Sequence, residues 1–251
     1  MLLKMSNKNV LSQNYDILSP QGIRSFFPDK LKNISITVLD SIDSTNLLAK
    51  KLVLQNLPHR SIITANKQIS GLGRYGKSFF SPAETGIYMS IILREKKKFD
   101  DILLITLYTA VAVSQSIEAL TGKKPSIKWV NDILVDGKKV CGILTESVGG
   151  SENNVPSAVI AGIGLNIKTE KEQFPEELRD TAGSLFPCNI TRNEFIAKIA
   201  EQLFGLIDNF SGKEIIVEYK NRLISKDKTA LSDENGQVCY QTADYLDKLN
   251  C

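Results

Sequence analysis

Along the chain, hydrophobic and polar positions change period several times, and each change marks an element. Residues 34–39 alternate with β-branched side chains and predict a strand. A helix is predicted over 45–55, with Leu48, Ala49, Leu52 and Val53 at helical spacing and Ser44 as its N-cap. A short strand at 61–65 leads into a glycine-rich loop at 66–81, and an apolar strand follows at 86–93. Residues 102–120 are too long an apolar run for a strand and predict a buried helix, ended by Gly122 and Pro125. Two strand-like runs, 127–135 and 139–147, flank Asp136-Gly137, a strong hairpin signal. A polar loop at 149–154 leads to a third run at 158–167. The last helix is predicted over 191–210, with a Thr191/Glu194 capping box and a stripe of Phe195, Ile199, Leu203, Ile207 and Phe210.

Both ends read differently. The first 35 or so residues are broken by Pro20, Gly22 and Pro28 and predict an extension with one short helix near 21–27. Residues 211–251 are mixed and polar, with one hairpin expected around Asp233 to Gly236. The order of elements predicts one α+β domain with a mixed, largely antiparallel sheet and a short C-terminal appendage.

Composition narrows the function classes. The formal net charge over 251 residues is +3, too weak a bias to imply a nucleic-acid partner. The longest near-continuous apolar stretch, 102–113, falls short of the roughly 20 residues of a membrane span. No secretory pattern opens the chain, so the expected address is the cytoplasm. Cys141, Cys188, Cys239 and Cys251 form no C-x-x-C pair, and the single histidine, His59, sits in a turn-like Pro58-His59-Arg60. A Cys/His metal site and a histidine-based nucleophile scheme are both improbable on that inventory.

The chemistry concentrates in Gly71-Leu72-Gly73-Arg74-Tyr75-Gly76-Lys77-Ser78. By letter it satisfies both G-x-G-x-x-G and the phosphate-loop pattern G-x-x-x-x-G-K-S. Each of those needs a strand directly before and a helix starting within the loop. Here 66–70 separate the strand from Gly71, and Pro82 and the 86–93 strand follow where a helix would run. The loop nevertheless offers backbone N–H groups that can approach an anion, two cations in Arg74 and Lys77, and apolar faces in Phe79 and Phe80. It suits a phosphate or carboxylate ligand with an attached ring, or a mobile basic surface loop.

Five segments in order then become specific. They are Asp43-Ser44-Thr45-Asn46; Gln68 with Gly71-x-Gly73-Arg74-x-Gly76, Phe80-Ser81-Pro82 and Gly86-x-Tyr88-x-Ser90; Lys128-Trp129-Val130-Asn131-Asp132; Lys139-Val140-Cys141-Gly142-Ile143-Leu144-x-Glu146; and Gly162-Ile163-Gly164-Leu165-Asn166. Across about 36–210 the chain resembles the catalytic domain of biotin protein ligases, also called biotin–[acetyl-CoA-carboxylase] ligases. The resemblance implies a biotin synthetase-like fold, related to class II aminoacyl-tRNA synthetases, over 36–212, between a 1–35 extension and a 213–251 appendage that is a shortened β-barrel-like segment. It implies ATP and biotin as substrates, with Mg2+, and biotinyl-5′-adenylate as the intermediate. The acceptor would be a lysine of a biotin carboxyl carrier domain, and the protein a monomer or weak homodimer.

Site residues carry over one by one. Arg74 and Lys139 are implied as the catalytic pair that offsets repulsion between carboxylate and phosphate. Ser44, Thr45, Asn46, Gln68, Leu72, Gly73 and Gly142 join them around biotin. Phe79, Lys128, Trp129, Asn131, Asp132 and Asn166 fall on the ATP side, with Asp132 toward Mg2+. Read without the resemblance, Ser44 and Thr45 are helix caps, Trp129 is a core or pocket-wall residue and Lys139 is a solvated lysine after a turn. Phe79 stands where the family usually carries tryptophan, Val130 where it carries proline, and Cys141 where it carries a small residue. A lipoate or octanoate ligase or transferase of the same fold is the nearest rival, although no R-R-x-x-G-G-G segment is present. A phosphate-loop nucleotide-binding module is the rival from another class.

Overall fold

The computed structural model describes residues 16–94, 102–149 and 157–224. Among these, seven strands form one sheet: β1 (Ile36–Ile42), β2 (Ser61–Gln68), β3 (Gly86–Leu93), β4 (Ser126–Lys128), β5 (Asp132–Val135), β6 (Lys138–Val148) and β7 (Ala158–Asn166). Their spatial order is β1-β2-β3-β7-β6-β5-β4. Only β1 and β2 run parallel, and every other neighbouring pair is antiparallel. The helices are α1 (Pro20–Ser25), α2 (Thr45–Leu54), α3 (Ile102–Thr121), α4 (Arg192–Asn209) and α5 (Gly212–Arg222). The mixed, largely antiparallel α+β architecture expected from the pattern is the one found.

Strand alternation gives the central strands two faces. Ile87, Met89, Ile91, Leu93, Val159, Ala161, Ile163, Leu165, Cys141 and Ile143 join the main core with α1, α3 and α4. The other face carries Ile92, Val148, Ala158 and Ile160, which pack under Ala49 and Val53 of α2. Gly142, Gly162 and Gly164 share the parity of that second face. Where they replace larger residues, the sheet is left uncovered beside the N-terminus of α2.

Helix α3 is apolar nearly all round because it is enclosed by α4, α5 and the sheet. By length and composition it could cross a membrane, yet 67% of its most apolar window is buried within the protein. It serves as the central helix of the domain.

The hairpin signal at Asp136-Gly137 is realised between β5 and β6. Both residues have positive φ, 51° and 74°, as a type I′ turn requires, and glycine meets that demand without strain. The predicted 127–135 run is instead two strands. It folds back at Trp129 to Asn131, so that Ser126 pairs with Leu134 and Lys128 with Asp132. Long-range bonds anchor the bend. Tyr219 Oη donates to Val130 O at 2.9 Å, and Asn131 Nδ2 donates to Ile143 O at 2.9 Å. The Trp129–Val130 peptide is cis.

Two caps differ from expectation. Ser44 occupies the N-cap of α2, but its side chain makes no capping bond. Gln68 Oε1 takes that role, accepting from Thr45 N at 2.9 Å. Thr191 Oγ1 accepts from Glu194 N at 3.2 Å without the reciprocal bond of a capping box. A full box at Ser211 and Glu214 opens α5, a helix not expected from the mixed, polar 211–251 stretch. Helix α5 docks on α3 and β4 and buries Ile215 and Tyr219. The hairpin expected at 233–236 lies outside the described residues.

Candidate active site

The uncovered part of the sheet forms the base of a cavity of about 750 Å³. Gly142, Gly162 and Gly164 line it, together with Leu144. Two of these glycines are dictated by close approach. A Cβ on Gly162 would lie 2.3 Å from Asn46 Oδ1, and one on Gly164 2.5 Å from Phe79 Cε1. The sheet thus accepts the head of α2 at one point and the Phe79 ring at the other.

The N-terminus of α2 brings Ser44, Thr45 and Asn46 to the cavity, each nearly buried, and β2 brings Gln68 at its end. Gln68 Oε1 accepts from Thr45 N at 2.9 Å and from Thr45 Oγ1 at 3.1 Å, and Gln68 Nε2 donates to Ser81 Oγ at 3.0 Å. A helix N-terminus, three short polar side chains and an amide therefore converge there.

The glycine-rich loop supplies another wall. Gly73 N donates to Lys77 O at 2.6 Å and Phe79 N to Gly71 O at 2.8 Å, closing a tight loop with one 3₁₀ turn over Arg74–Gly76. No helix starts in it, and the chain runs on into β3. This geometry excludes a phosphate-loop nucleotide-binding module. Leu72, Gly73, Arg74 and Phe79 all face the cavity. Arg74 Nη1 donates to Asn131 Oδ1 at 3.2 Å, and its guanidinium stacks on the Tyr75 ring at 4.9 Å.

The β4–β5 bend and the start of β6 provide Lys128, Trp129, Asn131, Asp132 and Lys139. Trp129 is half-buried and meets Tyr219 edge-on at 6.0 Å. Lys139 Nζ lies 2.6 Å from Asp132 Oδ1, an ion pair whose two side chains are 39% and 23% exposed. Lys139 can therefore exchange a protein carboxylate for a ligand anion without full resolvation. Next to it on the opposite face, burial pushes the Cys141 thiol up, so it stays protonated and inert.

No group of three or more His, Cys, Asp or Glu able to hold a metal ion occurs among the described residues. Asp132 nonetheless fits Mg2+ carried on a nucleotide, because that ion needs only one or two carboxylates besides phosphate oxygens.

The sequence profile of the biotin/lipoate A/B protein ligase family matches residues 38–166, which contain the strands and loop that form this cavity. The chain belongs to that family. It is 40% identical over 168 residues to the bifunctional ligase/repressor BirA of Bacillus spizizenii, covering 67% of this chain and 51% of that protein. It is 33% identical over 132 residues to the biotin–[acetyl-CoA-carboxylase] ligase of Paracoccus denitrificans, covering 52% and 53%. The chain thus spans about half the length of these curated relatives. The solved biotin protein ligase from Aquifex aeolicus in complex with biotin and ATP superposes with a TM-score of 0.66 at 27% identity, covering 76% of this chain and 78% of that one.

Of the residues expected at the site of this family member, all but one line the cavity. The exception is Asn166, expected on the ATP side. It is buried at the end of β7, where its Nδ2 donates to Gly183 O at 2.9 Å and its carbonyl accepts from Leu185 N at 3.1 Å. It pins a strap that contributes Leu178, Asp180, Thr181 and Ala182 to the wall. That strap flanks Lys139, with Lys139 N donating to Thr181 O and Gly183 N to Lys139 O, each at 2.9 Å. The sequence reading missed the strap because it has no hydrophobic period. Tyr75, Lys77, Phe80 and Met89 also face the cavity, whereas His59 does not.

Proposed function

We propose that the protein is a biotin protein ligase. It joins biotin and ATP into biotinyl-5′-adenylate and then transfers the biotinyl group to a lysine of a biotin carboxyl carrier domain. One observation carries this reading: a single cavity presents a compact polar end at Thr45, Asn46 and Gln68 together with the cations Arg74 and Lys139. In the first step a biotin carboxylate oxygen attacks the α-phosphorus and pyrophosphate leaves. Two anions must meet, and fixed positive groups in a partly desolvated site lower that barrier. Lys139 takes the carboxylate in place of Asp132, and Arg74 covers the phosphate from the loop. Mg2+, riding on the nucleotide at Asp132, would supply charge neutralisation of the phosphates. Phe79 and Trp129 supply aromatic faces, and Asn131 orients Arg74. In the second step the lysine ε-amine attacks the mixed anhydride and AMP leaves.

The proposal assigns catalysis to 36–212 and places the protein in the cytoplasm, as a monomer or weak homodimer. The free thiols of Cys141 and Cys188 suit a reducing compartment. The test is pyrophosphate release from Mg-ATP. Release should depend on biotin and not on lipoate or octanoate; release driven by lipoate or octanoate instead would replace the substrate assignment.

A further inference from the structure

Ser90 and Glu146 belong to the motifs around the cavity but do not line it. Both reach it through the head of α2. Ser90 is fully buried on β3, with its Oγ 2.5 Å from Asn46 Oδ1 and 2.8 Å from Thr45 Oγ1. From the other side, Asn46 Nδ2 donates to Leu144 O at 3.2 Å and to Glu146 Oε2 at 2.9 Å. The second oxygen of Glu146 is held by Lys50 Nζ at 2.6 Å.

Counting protons fixes the direction of this network. A carboxylate and a carbonyl only accept, so they take both amide hydrogens of Asn46 and turn its Oδ1 toward Ser90. Oδ1 also only accepts, so the Ser90 hydroxyl proton goes to it. Ser90 then has only its lone pairs left for Thr45. Thr45 has one hydroxyl proton and two oxygens to serve, Ser90 Oγ at 2.8 Å and Gln68 Oε1 at 3.1 Å. Gln68 Oε1 is already served by Thr45 N at 2.9 Å, so whichever oxygen takes the Thr45 proton, no hydroxyl of the cluster donates to Thr45 Oγ1, and its lone pairs stay open at the cavity. An acceptor with open lone pairs in a partly desolvated pocket is best matched by a donor, so a ligand that brings an N–H to Thr45 Oγ1 is favoured.

We propose that Ser90 and Glu146 are positioning residues for the ligand's polar head: they hold Asn46 and Thr45 in one hydrogen-bond direction and so make the closed end of the cavity selective for an N–H donor. The inference rests on the biotin reading, whose cyclic urea carries such donors.

The variants are Ser90→Ala, Glu146→Gln and their combination. Glutamine keeps the shape of Glu146, but with its oxygen on Lys50 it presents NH2 to Asn46 and reverses the chain. Biotin binding is read by titration calorimetry and the KM for ATP by pyrophosphate release. Each single variant should weaken biotin roughly ten- to hundredfold, with the ATP KM within about twofold. The double variant should be no worse than the worse single, because both act through Asn46. Unchanged biotin affinity, equal losses for biotin and ATP, or additive losses would each overturn the inference. A wild-type protein that does not bind biotin would instead overturn the functional reading.

Discussion

Replacing Gly164 with alanine tests how tightly the cavity is drawn around its ligand. The new Cβ would lie 2.5, 2.7 and 2.8 Å from three carbons of the Phe79 ring, whereas ordinary contact begins at 3.4 Å. The ring must therefore retreat by about 1 Å. Tyr88 stands edge-on behind it at 6.5 Å between centroids, with its hydroxyl tied to Pro82 O at 2.8 Å. A Cβ at Gly142 would already be 3.2 Å from the same ring. The open direction is the cavity itself. Overpacking costs typically about 1–3 kcal/mol, and a ring that escapes into ligand space transfers that cost from folding to binding. Biotin affinity should fall about 5- to 150-fold. The thermal midpoint should stay within about 3 °C of the wild type. Calorimetric titration of Gly164→Ala, Phe79→Leu and the double variant checks the mechanism, since the smaller leucine should restore much of the affinity lost to alanine. Wild-type affinity in Gly164→Ala, or a double variant as weak as the sum of the singles, would refute it.

Lys139→Met should slow biotin-dependent ATP–pyrophosphate exchange about a hundred- to thousandfold, because it removes the cation facing the ligand and leaves Asp132 uncompensated. Lys77→Ala should cost less than about tenfold in the same assay, as expected of a loop cation outside the reacting centre. The Ser211 backbone N–H, and then its hydroxyl, hold the Glu214 carboxyl below its ordinary value of 4.5. The cap on α5 is therefore fully present above about pH 4.5 and is lost as pH falls through the depressed value. Protection factors at the start of α5, taken relative to the intrinsic exchange rate at each pH, should fall on acidification in the wild type but show no such fall in Glu214→Gln.

Much of this molecule is legible in the sequence because its strands and long helices carry regular periods. The 86–93 strand is found over the residues predicted, and the 102–120 helix ends one residue later, at Thr121. The misses come where distant residues decide. The 127–135 run is rich in β-branched and apolar residues on either side of Asn131-Asp132, and the anchoring of its bend by Tyr219 and Ile143 splits it there. Ser44 looks like a cap, but Gln68, far along the chain, reaches Thr45 N. Helix α5 had a readable signal in Ser211 and Glu214 that was outweighed by its polar composition. At the site, short polar residues and glycines at fixed spacing are readable, whereas the strap around Lys139 is not, since it is held by backbone bonds to Lys139 and by side chains distant in sequence such as Asn166. Asn166, which the family resemblance puts on the ATP side, ties down the strap through its Nδ2, a contact that only the fold reveals, while its Oδ1 is buried without a hydrogen-bond partner.

The most direct test of the account is labelling of a biotin carboxyl carrier domain with biotin and Mg-ATP, read by intact-mass spectrometry. The account predicts a gain of one biotinyl group on the acceptor lysine, dependent on ATP and abolished by Lys139→Met. A carrier domain left unmodified by an enzyme that binds both biotin and ATP would contradict it.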